Sequence, residues 1–329
     1  MPDENLFDEA SQTYRELQDE ICAAVEALEE SADAFELTGA SGGDIADTLE
    51  RAPARFHEDP WKGDHSGTLG LGGGGRTRVL SEGRIFEKGG VNWSDVHGTF
   101  SEELAAKMPG DSREFRASGI SLVLHPRNPH APTVHANFRV IRRGPPEAIE
   151  RLWFGGGADL TPHYLYEDDA RHFHTQFRDA CNRHSPVADF AEMKRACDEY
   201  FHLPHRGEAR GIGGIFYDYR DERHDEVLAF SRDAGRAFID AYCPLIERRA
   251  GQEYTEQQRE FQLWKRGRYV EFNLVYDRGT MFGLRTGGRI ESILMSLPPL
   301  VAWHYNFTAQ PGSPEARVME VLKNPVDWC

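Results

Sequence analysis

The feature that most restricts the fold of this chain is the shortness of two connections between strand-like segments. Segments 119–125 and 133–141 are joined by a short proline-bearing stretch, and segments 269–276 and 280–285 are joined by residues 277–279 alone. Neighbouring parallel strands need a crossover of a dozen or more residues, whereas antiparallel strands can be joined by a tight turn. The sequence therefore predicts a sheet that is mainly antiparallel.

Helical patterns alternate with these hairpins. Apolar residues recur at helical spacing over about 101–108, 167–184, 187–201, 225–250 and 255–264. Further strands are predicted at 78–80, 212–219 and 290–297 from their β-branched and aromatic content. This alternation predicts an α+β fold, with a large, mainly antiparallel β-sheet covered by α-helices on its faces, in a single domain that spans residues 1–329.

The N-terminal segment, residues 1–37, is predicted to be an acidic helix packed on this domain. Its apolar residues recur at spacings of three and four, at Phe7, Ala10, Tyr14, Leu17, Ile21, Val25 and Leu28. Residues 1–60 hold 17 acidic residues and 3 arginines, which accounts for −14 of the net charge of −16. We expect repulsion among these acids to weaken docking of the helix at low salt. Residues 38–75, rich in Gly, Asp and Ser, are predicted to be an irregular connection.

Composition and charge argue against several classes of protein. The pI is about 5.3 and there is no basic stripe, so we expect no nucleic-acid partner. No apolar run is long enough for a membrane span, and the acidic start does not resemble a signal peptide. The five cysteines form no C-x-x-C pair, which argues against a disulfide framework or a zinc knuckle and favours a cytoplasmic location.

The most informative segment for function is the hairpin over 119–141. Period-two alternation places Ile120, Leu122 and Leu124 on one face and Ser121 and His125 on the other. On the second strand, the same alternation separates Phe138 and its apolar neighbours from His135, Asn137 and Arg139. Such a face could simply be solvated, but two histidines, an amide and an arginine side by side favour an anion site.

Three other clusters bear chemically useful side chains. Gly155 to Gly157, followed by Asp159, could let a backbone approach a ligand or could form a tight turn. On the helix that follows, His174 is predicted to face inward and His172 outward. His205 lies in a loop rich in histidine and arginine, and Gly287, Gly288 and Arg289 follow a basic hairpin, where backbone N–H groups and a guanidinium would suit a carboxylate.

Long strings of the chain resemble the oxygen-dependent coproporphyrinogen III oxidase family. They include I-S-L-V-L-H-P-R-N-P, F-G-G-G-A-D-L-T-P, H-R-G-E-A-R-G-I-G-G-I-F and Q-L-W-K-R-G-R-Y-V-E-F-N-L-V-Y-D-R-G-T-M-F-G-L-R-T-G-G-R-I-E-S-I-L-M-S-L-P-P. The resemblance runs from about residue 8 to the C-terminus. Departures are modest: the loop before Gly72 is longer than expected, and His163 stands where Tyr is usual.

The resemblance implies an oxidative decarboxylation in haem biosynthesis. Two propionates of coproporphyrinogen III become vinyl groups, O2 is the oxidant, the product is protoporphyrinogen IX, and no organic cofactor takes part. It assigns substrate contacts to Ser121, to Asn137, Phe138 and Arg139, and to Gly287, Gly288 and Arg289. His135 is the implied proton donor, and Asp159 is a candidate acceptor for pyrrole N–H groups.

The resemblance also implies a homodimer and, in bacterial-type members, a divalent metal. The dimer contact would be the predicted strand and hairpin region from about 269 to 304. The metal ligands would be His125, His135, His174 and His205. Two other functions stay open at this point: a mononuclear metal oxygenase that uses His125, His135 and Asp159, and a porphyrin carrier without catalysis.

Overall fold

The computed structural model describes residues 2–31, 51–63 and 70–329 of the chain. Its centre is a seven-stranded, antiparallel sheet whose strands lie in the order β1 (His57–Lys62), β2 (Gly72–Ser81), β3 (Phe86–Thr99), β4 (Glu114–Pro126), β5 (Thr133–Arg143), β6 (Arg151–Thr161) and β9 (Gly214–Arg220). A separate antiparallel pair is formed by β7 (His202–Leu203) and β8 (Glu208–Ala209). The predicted α+β class with a mainly antiparallel sheet is confirmed.

Helices cover both faces of the sheet. They are α1 (Pro2–Ser31), α2 (Glu102–Ala105), α3 (Glu167–Arg183), α4 (Phe190–Tyr200), α5 (His224–Arg249), α6 (Glu256–Val275), α7 (Arg278–Thr286), α8 (Ile290–Leu294) and α9 (Pro314–Lys323). None of the helices in the described ranges has both the length and the apolarity needed to cross a bilayer.

The apolar face of the sheet packs against α1, α3 and α5. The predicted stripe of α1 is confirmed, because Phe7, Tyr14, Ile21 and Val25 are all buried in the main core. Each such side chain contributes about 1.5–3 kcal/mol when removed from water. Gln18 of α1 also donates to the backbone oxygen of Val91, so the helix is held to β3 by polar contacts as well.

The acids of α1 face arginines, which contradicts the expected repulsion among them. Arg116 pairs with Glu4 and Asp8, and arginines of β2 and α5 pair with Asp19, Glu9 and Glu20. Added salt should therefore weaken these pairs instead of relieving repulsion.

The second face of the sheet is covered by α4, α6, α7 and α8, and here several predictions are wrong. Segments 269–276, 280–285 and 290–297 are helical over all or most of their length, where strands and a hairpin were expected. In α6 the aromatic residues Tyr269 and Phe272 serve a buried helix face, since both are buried. Asp277 then starts α7 by accepting a hydrogen bond from the N–H of Thr280. An N-cap, and not a hairpin turn, thus occupies residues 277–279.

Strands β1, β3, β6, β7 and β8 lie where the sequence predicted none, and part of the irregular connection is also wrong. Residues 38–75 include β1 and the start of β2, while residues 32–50 and 64–69 lie outside the described residues. Strand β6 contains Gly155 to Gly157, which had suggested a turn or a ligand contact. Glycine has low strand propensity, but neighbours on both sides supply the backbone hydrogen bonds of β6. Helix α9 was also not predicted.

Candidate active site

The second face of the sheet carries an unbroken row of small and polar residues. Antiparallel pairing aligns Asp59, Thr77, Asn92, Ser121, Asn137 and Gly157 from β1 to β6. The predicted neighbours Ser121 and Asn137 are therefore directly opposite, and His135 and Arg139 lie in the flanking rows beside Val123 and Gly119. We call this surface the polar floor. Because its central residues are small and half-buried, a flat ligand could lie across several strands.

One wall of the floor contains a buried relay of His135, Asp159 and Arg210. Nδ1 of His135 lies 2.8 Å from Oδ1 of Asp159, and the Arg210 guanidinium donates to both Asp159 oxygens at 2.8 Å. Burial opposes ionisation of Asp159, but Arg210 and the hydrogen bond with His135 hold the pKa of its carboxyl below the usual value. Only His135 reaches the floor, with 20% of its side chain exposed against 1% for Asp159.

A second group surrounds Arg139. Its guanidinium donates to Oδ1 of Asn137 at 2.8 Å and pairs with Asp218 of β9 at 2.9 Å. Burial works against the charge of Arg139, yet Asp218 raises its pKa above the usual value. Arg278, at the start of α7, lies 4.0 Å from the same carboxylate and stacks over Tyr200. A Cβ on Gly155 would lie 2.6 Å from Asp218, so glycine is needed there to admit the pair.

Arg289 lies at the opposite end of the row. It bonds Asp59 of β1 at 2.6 Å and the Ser292 hydroxyl at 3.1 Å. The expectation that Gly287 and Gly288 offer free N–H groups is wrong, because both N–H groups donate to the carbonyl of Gly283 and end α7. Gly287 has φ of 76°, a conformation that favours glycine. The N–H groups of both glycines are therefore used within the turn, and the Arg289 guanidinium is its candidate group for binding a ligand.

Phe138, a predicted substrate-contact residue, has its side chain away from the floor. Its side chain is fully buried on the apolar face, as period-two alternation requires. Any contact of Phe138 with a ligand on the floor would have to involve its backbone. Ser121, Asn137 and Arg139 keep their side chains on the floor.

The structure does not bring the four predicted metal ligands together. His125 contacts the carbonyl of Ser296 and the hydroxyl of Thr133, and His205 contacts Tyr276 and Glu271. His174 is buried as predicted, but it lies on α3, with its Nδ1 on the carbonyl of Ala170 and its ring beside Phe190 and Trp328. Within the described ranges, no group of three or more histidine, cysteine or acidic side chains could hold a metal ion. The donor set does not fit one shared ion.

Burial also sets the protonation of two of these histidines. It lowers the pKa of His125 to about 3, with the Arg266 charge adding to the effect, and it lowers the pKa of His174 to about 4. Both rings are therefore neutral at physiological pH. The expected outward position of His172 is only partly met, since its Nε2 reaches the carbonyl of Asp240 on α5.

Sequence reasoning assigned no role to four residues that complete the site: Arg210, which it placed in the loop with His205, and Asp218, Arg278 and Tyr200. They lie far along the chain from the hairpin, so strand alternation could not connect them to it. The signal for Arg210 and Arg278 was their presence in the strings H-R-G-E-A-R-G and Y-D-R-G-T, which are rich in Gly, Arg and Asp. Their roles follow from contacts between β5, β6, β9 and the helices above them.

Comparison with known proteins gives one family over nearly the whole chain. A family model described as coproporphyrinogen III oxidase matches residues 9–328. The oxygen-dependent coproporphyrinogen-III oxidase of Synechococcus sp. (strain CC9902) is 43% identical over 356 residues, which covers 100% of this chain and 89% of that protein. Both matches include every strand that forms the polar floor.

Proposed function

The chain belongs to the coproporphyrinogen III oxidase family, and on that premise we propose that the polar floor binds coproporphyrinogen III. The enzyme is an oxidoreductase of haem biosynthesis, which converts two propionates of this substrate to vinyl groups with O2 as oxidant, giving protoporphyrinogen IX. For each propionate, the bond to the carboxylate breaks and CO2 leaves. The carbon next to the pyrrole loses a hydrogen as hydride, whose two electrons pass to O2, and with one further proton O2 becomes H2O2.

The observation that carries this proposal is the placement of arginines at the two ends of one polar row. Arg139 lies on β5, and Arg289 reaches Asp59 on β1. Strands β1 and β5 are four strand spacings apart, roughly 19 Å at about 4.8 Å per spacing. A macrocycle with propionates around its rim could therefore lie on Ser121 and Asn137 with carboxylates at both ends.

Both arginines already hold carboxylates of the chain, which indicates the chemistry that they can accept. Arg139 and Arg278 share the carboxylate of Asp218, and Asp59 binds Arg289. A guanidinium has five N–H donors, so a substrate carboxylate can bind at the donors not used or can displace the internal partner. We assign propionate binding to Arg139, Arg278 and Arg289.

His135 is assigned as the proton donor. Its Nδ1 is engaged by Asp159, while Nε2 makes no hydrogen bond within the described part of the chain. Nε2 is therefore the ring atom that can pass a proton to oxygen as it is reduced. Asp159 is less suited to accept pyrrole N–H groups directly, because it is buried beneath His135 and bonded to Arg210.

We propose that the reaction needs no organic cofactor and that O2 acts on the electron-rich macrocycle directly. The four histidines do not fit a shared metal, so no step is assigned to one. A cytoplasmic location is also proposed, because all five cysteines are free thiols, as is typical of a reducing compartment.

A homodimer that uses residues 269–304 is a further part of the proposal. Apart from Tyr219, the exposed large hydrophobic side chains of the described residues all lie in or next to this region: Leu274, Val275, Leu284, Ile290, Leu300, Trp303 and Tyr305. Such a concentration of apolar surface is typical of an interaction site. The double variant Ile290→Glu/Leu300→Glu should sediment as a monomer, and Tyr219→Glu is the control. A monomeric parent protein would contradict the dimer.

The function is tested with coproporphyrinogen III prepared anaerobically and then exposed to O2. Vinyl products and residual substrate are quantified by fluorescence after chromatography. The parent protein should form protoporphyrinogen IX, and His135→Gln should lower kcat more than it raises KM. His172→Asn, on the opposite side of the sheet, is the matched control. Absence of vinyl product from the parent protein, or equal losses in both variants, would count against the proposal.

A further inference from the structure

Arg210 is a buried charged residue that cannot reach a ligand on the polar floor. Its side chain is 2% exposed, and it lies between β8 and β9 in the chain. One terminal nitrogen donates to both oxygens of Asp159, and the other donates to Oδ1 of Asn273 on α6, all at 2.8 Å. The guanidinium is therefore fixed between the sheet and the helix above it.

Aromatic rings restrict Arg210 further. Its guanidinium carbon lies 4.1 Å from the centre of the Phe201 ring, 4.7 Å from that of Tyr269 and 4.9 Å from that of Phe272. These distances are typical of cation–π contacts, which are strongest in desolvated sites. A lysine could supply the charge, but it could not bind Asp159 and Asn273 together in one plane.

Stability alone does not explain this arrangement. A buried ion pair gains little over apolar residues of similar volume, because desolvation cancels most of the attraction. The ion pair between Arg210 and Asp159 does, however, fix the position of the Asp159 oxygen that contacts His135. Oδ1 of Asp159 is shared between Arg210 and Nδ1 of His135, so rotation of the carboxylate would break both contacts.

We propose that Arg210 is a positioning residue for the oxidase reaction, acting on His135 through Asp159. By holding an ionised carboxylate against Nδ1, it keeps a proton on Nδ1 and points Nε2 at the substrate, so that the imidazolium gives its Nε2 proton to the reduced oxygen and becomes the neutral ring protonated on Nδ1. Without Arg210, the buried carboxyl would rotate or take up a proton and could donate to Nδ1 instead. His135 would then change its tautomer and its orientation. This inference rests on the proposed role of His135.

The test compares Arg210→Lys and Arg210→Gln with the parent enzyme. We expect kcat to fall about 10- to 100-fold, the range expected when a catalytic group is misplaced by a fraction of an ångström to one ångström. KM should change less than kcat, because Arg210 does not touch the substrate. Nitrogen NMR of selectively labelled His135, in neutral form, should show the proton on Nδ1 in the parent enzyme and a tautomer mixture in Arg210→Gln.

Arg143→Lys is the matched control. This arginine is also buried and lies on β5, but it binds backbone carbonyls at the far end of the strand. Its replacement should alter the melting temperature and leave kcat and the His135 spectrum unchanged. If Arg210→Lys and Arg210→Gln instead keep the parent kcat, or keep the parent spectrum, the inference is overturned.

A double variant, Arg210→Gln/Asp159→Asn, covers the case in which Arg210→Gln does not fold. It replaces the ion pair with two amides, so it should recover the melting temperature while kcat stays low. Parent-like kcat in the double variant would overturn the inference. If the proposed function itself is wrong, the parent enzyme will show no turnover. The NMR comparison would still test whether Arg210 controls the contact between Asp159 and His135.

Discussion

Arg139→Lys is the substitution that most directly tests how the polar floor binds its substrate. Arg139 holds Asn137 and Asp218 with different nitrogens of one planar group. Lysine keeps the charge but places it on a single nitrogen, so it cannot hold both partners and a propionate at once. We expect the variant to fold, since Asp218 is 15% exposed and keeps Arg278 nearby.

The magnitude follows from the loss of one charged hydrogen bond to the substrate. Such a bond contributes about 1.5–3 kcal/mol. Because about 1.4 kcal/mol corresponds to a tenfold change, kcat/KM should fall by roughly 10- to 150-fold. Most of the loss should appear in KM, since the arginine binds a carboxylate in both the ground state and the transition state.

The assay is the anaerobically started conversion of coproporphyrinogen III, with initial rates over a range of substrate concentrations. Arg142→Lys is the control, because this neighbouring arginine faces the opposite side of the sheet and pairs with Glu4. It should change the melting temperature and leave KM unaltered. If kcat/KM of Arg139→Lys stays within about twofold of the parent value, the assignment of Arg139 to a propionate is refuted.

Three further predictions concern stability and metal dependence. Buried Glu29 of α1 accepts hydrogen bonds from four backbone N–H groups, so Glu29→Gln should lower the free energy of unfolding by about 2–4 kcal/mol in urea titrations. The control Glu30→Gln changes an exposed side chain and should cost under about 1 kcal/mol, and equal effects of the two variants would contradict this prediction. Because burial depresses the pKa of His125 and His174 in the folded chain, the unfolded chain takes up protons at these rings that the folded chain does not. The free energy of unfolding should therefore fall below about pH 6.5 by about 1.4 kcal/mol per pH unit for each ring, and a flat profile from pH 7 to 5 would contradict this. Exhaustive chelation should leave kcat unchanged, because the four histidines do not converge; loss of activity that one added metal restores would show otherwise.

Local periodicity was enough to predict several features of the fold and of the site. The stripe of α1 from Phe7 to Leu28 and the neighbours Ser121 and Asn137 were both predictable, because side chains repeat every 3.6 residues in a helix and every two in a strand. The short link between β4 and β5 imposed an antiparallel pair. The same alternation placed His135, Asn137 and Arg139 on one face of the sheet. The family resemblance supplied their roles.

Long-range packing, in contrast, selected the conformation of 269–297 and of 155–157. Aromatic and β-branched residues suit either a strand or a buried helix, and burial of α6 against the sheet selects the helix. Gly155 to Gly157 form a central strand because β5 and β9 satisfy their backbone groups and because Arg139 and Asp218 need the space. The propensities of a few consecutive residues include neither the burial of a helix against a distant sheet nor the hydrogen bonds and space that distant strands and side chains impose.

The partners of the titratable groups likewise depended on contacts between distant segments. Asp159 and Arg210 are 51 residues apart, and His135 and Asp159 are 24 apart. His174, although buried as its helix face predicted, contacts the carbonyl of Ala170 on its own helix and not His135. Local sequence can indicate that a side chain faces inward, but which charge it meets there is set by how the sheet and helices pack. The relay and the separation of the histidines therefore emerged only from the fold.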